Sequence, residues 1–243
     1  MKSFLEYIAE AHHYSFIEDL ANTMLSDLQR ANKTNQYKLI KEYEFLEPVA
    51  FDIKLFARWE DSPRFEEDQH FKNLTWEKHN FIKHGYCINA IAKFNDGEYA
   101  IPEIDVFFII TESTAKIYDL IYSRLVGIIG HEVRHLKQIG LNKEPFMGRV
   151  STKEERAKSQ QNYKYFLLPE ELDSMVEDKY IQAKHENRPV DEVIFDYLSP
   201  FVEDGFIDEA DFKKVYSAWI RRAIEFFPDA NFSKNSEKII NEI

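Results

Sequence analysis

A chain of 243 residues, 44% of them hydrophobic and including 20 Phe and 13 Tyr, can bury a large aromatic core within one large domain. Only 7 Gly and 8 Pro interrupt it, too few for a low-complexity or disordered protein. The formal net charge of −12, with no basic stripe, excludes a general attraction for nucleic acid and is read as serving solubility.

The single cysteine, Cys87, excludes an intrachain disulfide and fits a reducing compartment. No apolar run approaches the length of a membrane span, so no membrane association is expected. The opening stretch MKSFLEYIAEAHHYS has acids inside its apolar run, unlike a secretory signal.

Residues 1–10 read as a short amphipathic helix with Phe4, Leu5 and Ile8 on one side, followed by a polar break at His12 and His13. Ser15 then reads as an N-cap with Glu18 completing a capping box. Ile17, Leu20, Ala21, Met24, Leu25 and Leu28 predict a helix over 16–31. The period changes to two at Val49, Phe51, Ile53, Leu55 and Ala57, which predicts a strand over 49–58. A charged excursion, 59–80, follows. Tyr86, Ile88, Ala90, Ala92 and Phe94 predict a second strand, Asn95-Asp96-Gly97 a hairpin turn, and 98–110 a third strand. Pro102 suits an edge or a bulge, and this third strand is expected to be an edge that aligns an extended substrate.

The longest helix is predicted over 114–139, with Ile117, Leu120, Ile121, Leu125, Ile128, Ile129, Val133, Leu136 and Ile139 as its buried stripe. Gly140 is placed to end it. A polar connection, 141–164, leads to Pro169, which opens a helix over 169–186. Helices near 191–203 and 208–227 close the fold, and the last dozen residues look weakly held.

Inside the longest helix lies His131-Glu132-Val133-Arg134-His135, an H-E-x-x-H pattern. Residues four apart share one helix face, so both imidazoles can reach one metal ion. Glu132 is turned by roughly 100° from His131 and points beside the metal, where it can take a proton from water activated by zinc. Gly127 and Gly130 are poor helix formers and suit the close approach of another element. A catalytic zinc normally has three protein ligands. Glu171, in the first turn of the helix opened by Pro169, is the candidate for the third, with Glu170 its competitor. Both acids would equally suit the helix dipole.

Asp178 and Glu177 are candidate partners for the imidazoles, against the simpler reading of solvated acids. Of the remaining histidines, His12, His13, His70, His79 and His84 lack ligand spacing, and His185 is held in reserve. Tyr163 and Tyr165 are accessory candidates for polarising a carbonyl, although packing explains either. Arg134 reads as a solvated helix residue.

The motif resembles that of the zincin metallopeptidases, and a Glu ligand on a following helix resembles their gluzincin branch. The match is also similar to phage-encoded metallopeptidase-like proteins with H-E-x-x-H-x-x-Q followed by P-x-E-I-x-A. Here His131 to Gln138 reads HEVRHLKQ, and Pro169 to Ser174 reads PEELDS, with Leu172 for Ile and Ser174 for Ala. At the N-terminus, MKSFLEYIAEA resembles the capsid-targeting sequence of internal head proteins of T-even-type phages. That resemblance implies packaging by the capsid scaffold and cleavage by a prohead protease between Glu10 and Ala11.

The expectation is therefore an α+β chain with a small antiparallel or mixed sheet packed on the H-E-x-x-H helix. Residues 1–10 form a propeptide and 11–243 a single zincin-like domain. Its expected function is zinc-dependent hydrolysis of a protein or peptide substrate, in the phage head or the host cytoplasm. The alternative is a non-catalytic virion protein or host-binding decoy of the same fold.

Overall fold

The computed structural model describes residues 13–45, 51–60, 81–82, 84–93, 103–111, 118–138, 153–159, 162–234 and 236. The chain divides between Glu132 and Val133 into two compact units. The expected propeptide 1–10, the expected turn at 95–97, Pro102 and Gly140 lie outside the described residues.

In the first unit, α1 (His13–Lys33) buries Ile17, Leu20, Ala21, Met24, Leu28 and Ala31. This is the stripe that a 3.6-residue period requires of a helix with one covered face. The helix begins two residues before Ser15, so Ser15 lies within its first turn and is not the cap. At the other end Asn35 adopts φ 53, a left-handed conformation that Asn tolerates, and Gln36 N–H donates to the Ala31 carbonyl at 3.0 Å to close the turn.

Four strands follow: β1 (Lys38–Phe45), β2 (Phe51–Trp59), β3 (Tyr86–Lys93) and β4 (Glu103–Ile110). They form one sheet in the order β1-β2-β4-β3. β1 and β2 are antiparallel, β2 and β4 parallel, β3 and β4 antiparallel, so the sheet is mixed. The pairing of Ile53 with Ile104 and of Leu55 with Val106 puts like side chains on one face. That face holds Ile53, Leu55, Ile88, Ile104, Val106 and Phe108, each fully buried. On the other face Phe107 stacks on Phe56 at 5.2 Å between ring centroids and packs with Cys87, Ile109 and Phe81.

One sequence expectation is corrected here, and one strand had not been expected. β4 is interior, hydrogen-bonded to β2 on one side and β3 on the other, so its backbone is committed and it cannot be the substrate-aligning edge. Its unbroken apolar run reflects burial on both faces, as in parallel sheets. β1 escapes the apolar alternation rule because its inward side chains include Lys41 and Tyr43, which serve Asp27 of α1 through hydrogen bonds.

Helix α2 (Tyr118–Gln138) runs through the boundary between the units. Leu120 is 48% exposed and does not belong to a buried stripe. From Ser123 to Val133 every residue is buried, so this helix has no solvent face there.

The second unit contains α3 (Lys153–Ser159), a 3-10 turn (Tyr163–Leu167), α4 (Pro169–Glu186), α5 (Val190–Glu203) and α6 (Glu209–Phe226). The supposed polar connection 141–164 thus includes a short helix, whose sequence KEERAKS carries no apolar period to announce it. α4 packs against α5, α6 and the 3-10 turn. Around Phe166, 1% exposed, stand the rings of Phe201, Phe206 and Trp219, and the Trp219 indole N–H donates to the Phe166 carbonyl at 2.9 Å. Gly205, at φ 70, takes the left-handed turn after α5 at little steric cost. Among the described residues beyond α6, Ser233 and Ser236 are more firmly held than the sequence suggests. The Asp191 carboxylate accepts from the Ser233 N–H at 2.7 Å and from the Ser233 hydroxyl, and Ser236 is 1% exposed.

Among the described residues, no helix is long and apolar enough to cross a membrane.

Candidate metal centre

Helix α4 departs from ordinary amphipathicity. Glu170, Glu171, Asp173, Glu177, Asp178 and Lys179 are all at most 5% exposed. Charges are rarely buried unless paired or committed to a metal, because removing them from water is costly. Several of these groups have visible partners. Lys179 Nζ lies 2.8 Å from Asp178 and 4.1 Å over the Tyr197 ring. Arg222 Nε meets Asp173 at 2.8 Å, and Arg134 Nη1 meets Glu177 at 3.4 Å. Burial pushes the Asp173 carboxyl above its ordinary value; Arg222 and Arg134 oppose that shift and Glu177 adds to it.

Glu171 belongs to a different set. His131, His135 and Glu171 are 6%, 8% and 1% exposed, and each offers a ligand atom within 4.8 Å of the other two. His131 stands two residues before the unit boundary but shares the unbroken α2 with His135. The four-residue spacing along one helix therefore sets their separation. Pro169 occupies the start of α4, where a missing N–H costs nothing, and this places Glu171 in the first turn. The N-terminal end of the helix dipole favours a carboxylate there.

The spacing suits a cation. Ligands about 2.0–2.1 Å from one tetrahedral ion stand roughly 3.3 Å apart. His135 Nε2 and Glu171 Oε2 are 3.5 Å apart. Two imidazoles and a carboxylate form a donor set of the kind that holds zinc, although imidazole also suits other transition metals. Glu132, 5% exposed, lies beside the group with Oε1 4.0 Å from His131 Nε2.

Other candidates sort by geometry. Glu170 is 1% exposed but is not one of the three converging residues. The Tyr165 hydroxyl donates to Glu171 Oε2 at 2.9 Å, which holds that carboxylate in place. Tyr163 lies under the Lys214 ammonium, 5.4 Å from its ring centre. His185 is exposed in the last turn of α4, about 21 Å along the helix axis from Glu171, too far to share an ion with it. Glu177 and Asp178 are buried and not solvated, with Arg134 and Lys179 among their partners. Arg134 is only half-buried, but it is pinned by Glu177 and by the Phe226 ring at 5.6 Å, so it is not a freely solvated residue.

Sequence reasoning missed Ser174. Its Oγ lies 3.5 Å from His135 Nδ1, and only its spacing of three from Glu171, on the same helical face, could have drawn attention to it.

No protein-family model, no curated protein and no solved structure matches this chain.

Proposed function

We propose that this chain is a zinc-dependent peptidase. The observation that carries the reading is the convergence of His131, His135 and Glu171, all buried, with Glu132 beside them. Three protein ligands suit a catalytic zinc, whereas structural zinc sites use four. Among the described residues, the group contains three. The resemblance of HEVRHLKQ and PEELDS to zincin motifs supports the same assignment.

Zinc held by these residues would supply Lewis acidity toward water and the scissile carbonyl. The protein's own groups supply the proton transfers. The Glu132 carboxylate accepts a proton as water oxygen bonds to the carbonyl carbon. It then delivers that proton to the amine nitrogen as the C–N bond breaks. Tyr165 keeps Glu171 oriented throughout.

Glu132→Gln should retain zinc while peptide hydrolysis falls by about 10²–10⁴-fold, the usual contribution of a general base. Hydrolysis at the wild-type rate in that variant would remove Glu132 from its role. Zinc-loaded wild-type protein without activity on a broad peptide library would favour the non-catalytic alternative.

The N-terminal resemblance supports a further part of this reading: the peptidase is packaged in a phage head, released from residues 1–10 between Glu10 and Ala11, and acts during assembly or on host proteins. Those residues lie outside the described part of the structure.

A further inference from the structure

Ser174 is 0% exposed on α4, three residues after Glu171. Its hydroxyl donates to the Glu170 carbonyl at 2.9 Å, the backward bond open to a helical serine. A carbonyl oxygen only accepts, so the hydroxyl proton is committed there. Oγ retains its lone pairs, and these stand 3.5 Å from His135 Nδ1. An oxygen in that state can accept a hydrogen bond from Nδ1–H, and the carbonyl at 2.9 Å is a nearer acceptor for its proton than the ring nitrogen at 3.5 Å. With the proton on Nδ1, the His135 lone pair is on Nε2, the nitrogen 3.5 Å from Glu171 Oε2. A metal requires that lone pair.

We propose that Ser174 is a positioning residue, which relays the Glu170 carbonyl to His135 and holds the imidazole in the tautomer and orientation that metal binding needs. This rests on the zinc-site reading given above. One helix thereby provides both a ligand, Glu171, and the group that orients a ligand on the neighbouring helix. Ser174 also stands where the metallopeptidase-like pattern has Ala, a residue that would fill much of the same space but offer His135 no acceptor.

The test is a competition titration with a chromophoric zinc chelator on metal-free wild type, Ser174→Ala and Ser174→Thr, with the melting temperature of each metal-free protein recorded. Ser174→Ala should bind zinc about 10–100-fold more weakly, the usual effect of losing a group that orients a ligand, while its metal-free melting temperature stays near that of wild type. Ser174→Thr keeps the hydroxyl and should recover most of the affinity. Equal affinity of wild type and Ser174→Ala overturns the proposal, as does a loss that Ser174→Thr leaves unrepaired, which assigns the effect to packing. A wild type that binds no zinc overturns the metal site itself, an outcome distinct from both.

Discussion

Asp27 is 8% exposed on α1 and accepts hydrogen bonds from Lys41 and, at 2.7 Å, from the Tyr43 hydroxyl. Burial alone would raise its pKa. The bonds from Lys41 and Tyr43, with the charges of Lys41 and Arg30, outweigh burial and leave it below the ordinary value. A carboxylate whose folded pKa is depressed contributes stability that is fully present above the unfolded value of about 3.9 and is lost as pH falls through the folded value. Asp27→Asn should therefore cost about 1–3 kcal/mol at neutral pH, the scale of a lost charge-assisted bond that leaves a partner unmet. The deficit relative to wild type should shrink below pH 4, as followed by urea unfolding across pH. A deficit that does not change with pH would assign the cost to packing. At this scale the sequence disclosed what helical spacing alone decides: His131, Glu132 and His135 share one short segment, and Pro169 fixes where Glu171 begins its helix. Ser174, Tyr165 and Arg134 were not legible as partners. Their roles depend on which atoms of another element come within 3–4 Å, and a single sequence does not encode that as a spacing.

Elements with a plain apolar period were readable, as α1, β2 and β3 show, and so was α4 from its proline start. The failures share a cause. β1 turns Lys41 and Tyr43 inward, α3 is almost wholly polar, and the buried side chains of α4 include charged ones paired within the helix or with arginines of other helices, so none of them writes hydrophobic periodicity into the chain. The reverse error occurred at β4, where an apolar run was assigned to an edge although it belongs to a strand covered on both faces. The α5–α6 region, by contrast, rests on ordinary packing. Trp219 is fully buried among Phe166, Tyr197 and the backbone that its indole N–H reaches. Trp219→Ala should destabilise the second unit by about 3–5 kcal/mol, the range for removing a large buried ring. Chemical denaturation monitored by circular dichroism checks this, and a loss below about 1 kcal/mol, the scale of one ordinary hydrogen bond, would mean that the aromatic cluster does not anchor the unit.

Across the whole molecule, composition indicated a core large enough for a folded chain but gave no sign that it divides between Glu132 and Val133, because that division falls within an uninterrupted helix. The packaging proposal also belongs at this scale. Mass spectrometry of purified virions should recover peptides of this chain with Ala11 as the new N-terminus; an intact Met1 end, or no peptides at all, would contradict it. The central claim is nearer to hand. Elemental analysis of protein purified without chelator, comparing wild type with His135→Ala, tests it directly. The expected result is one zinc per chain in wild type and almost none in the variant, with both proteins folded. A wild type that takes up no zinc when it is supplied, or zinc retained undiminished in His135→Ala, would contradict the account.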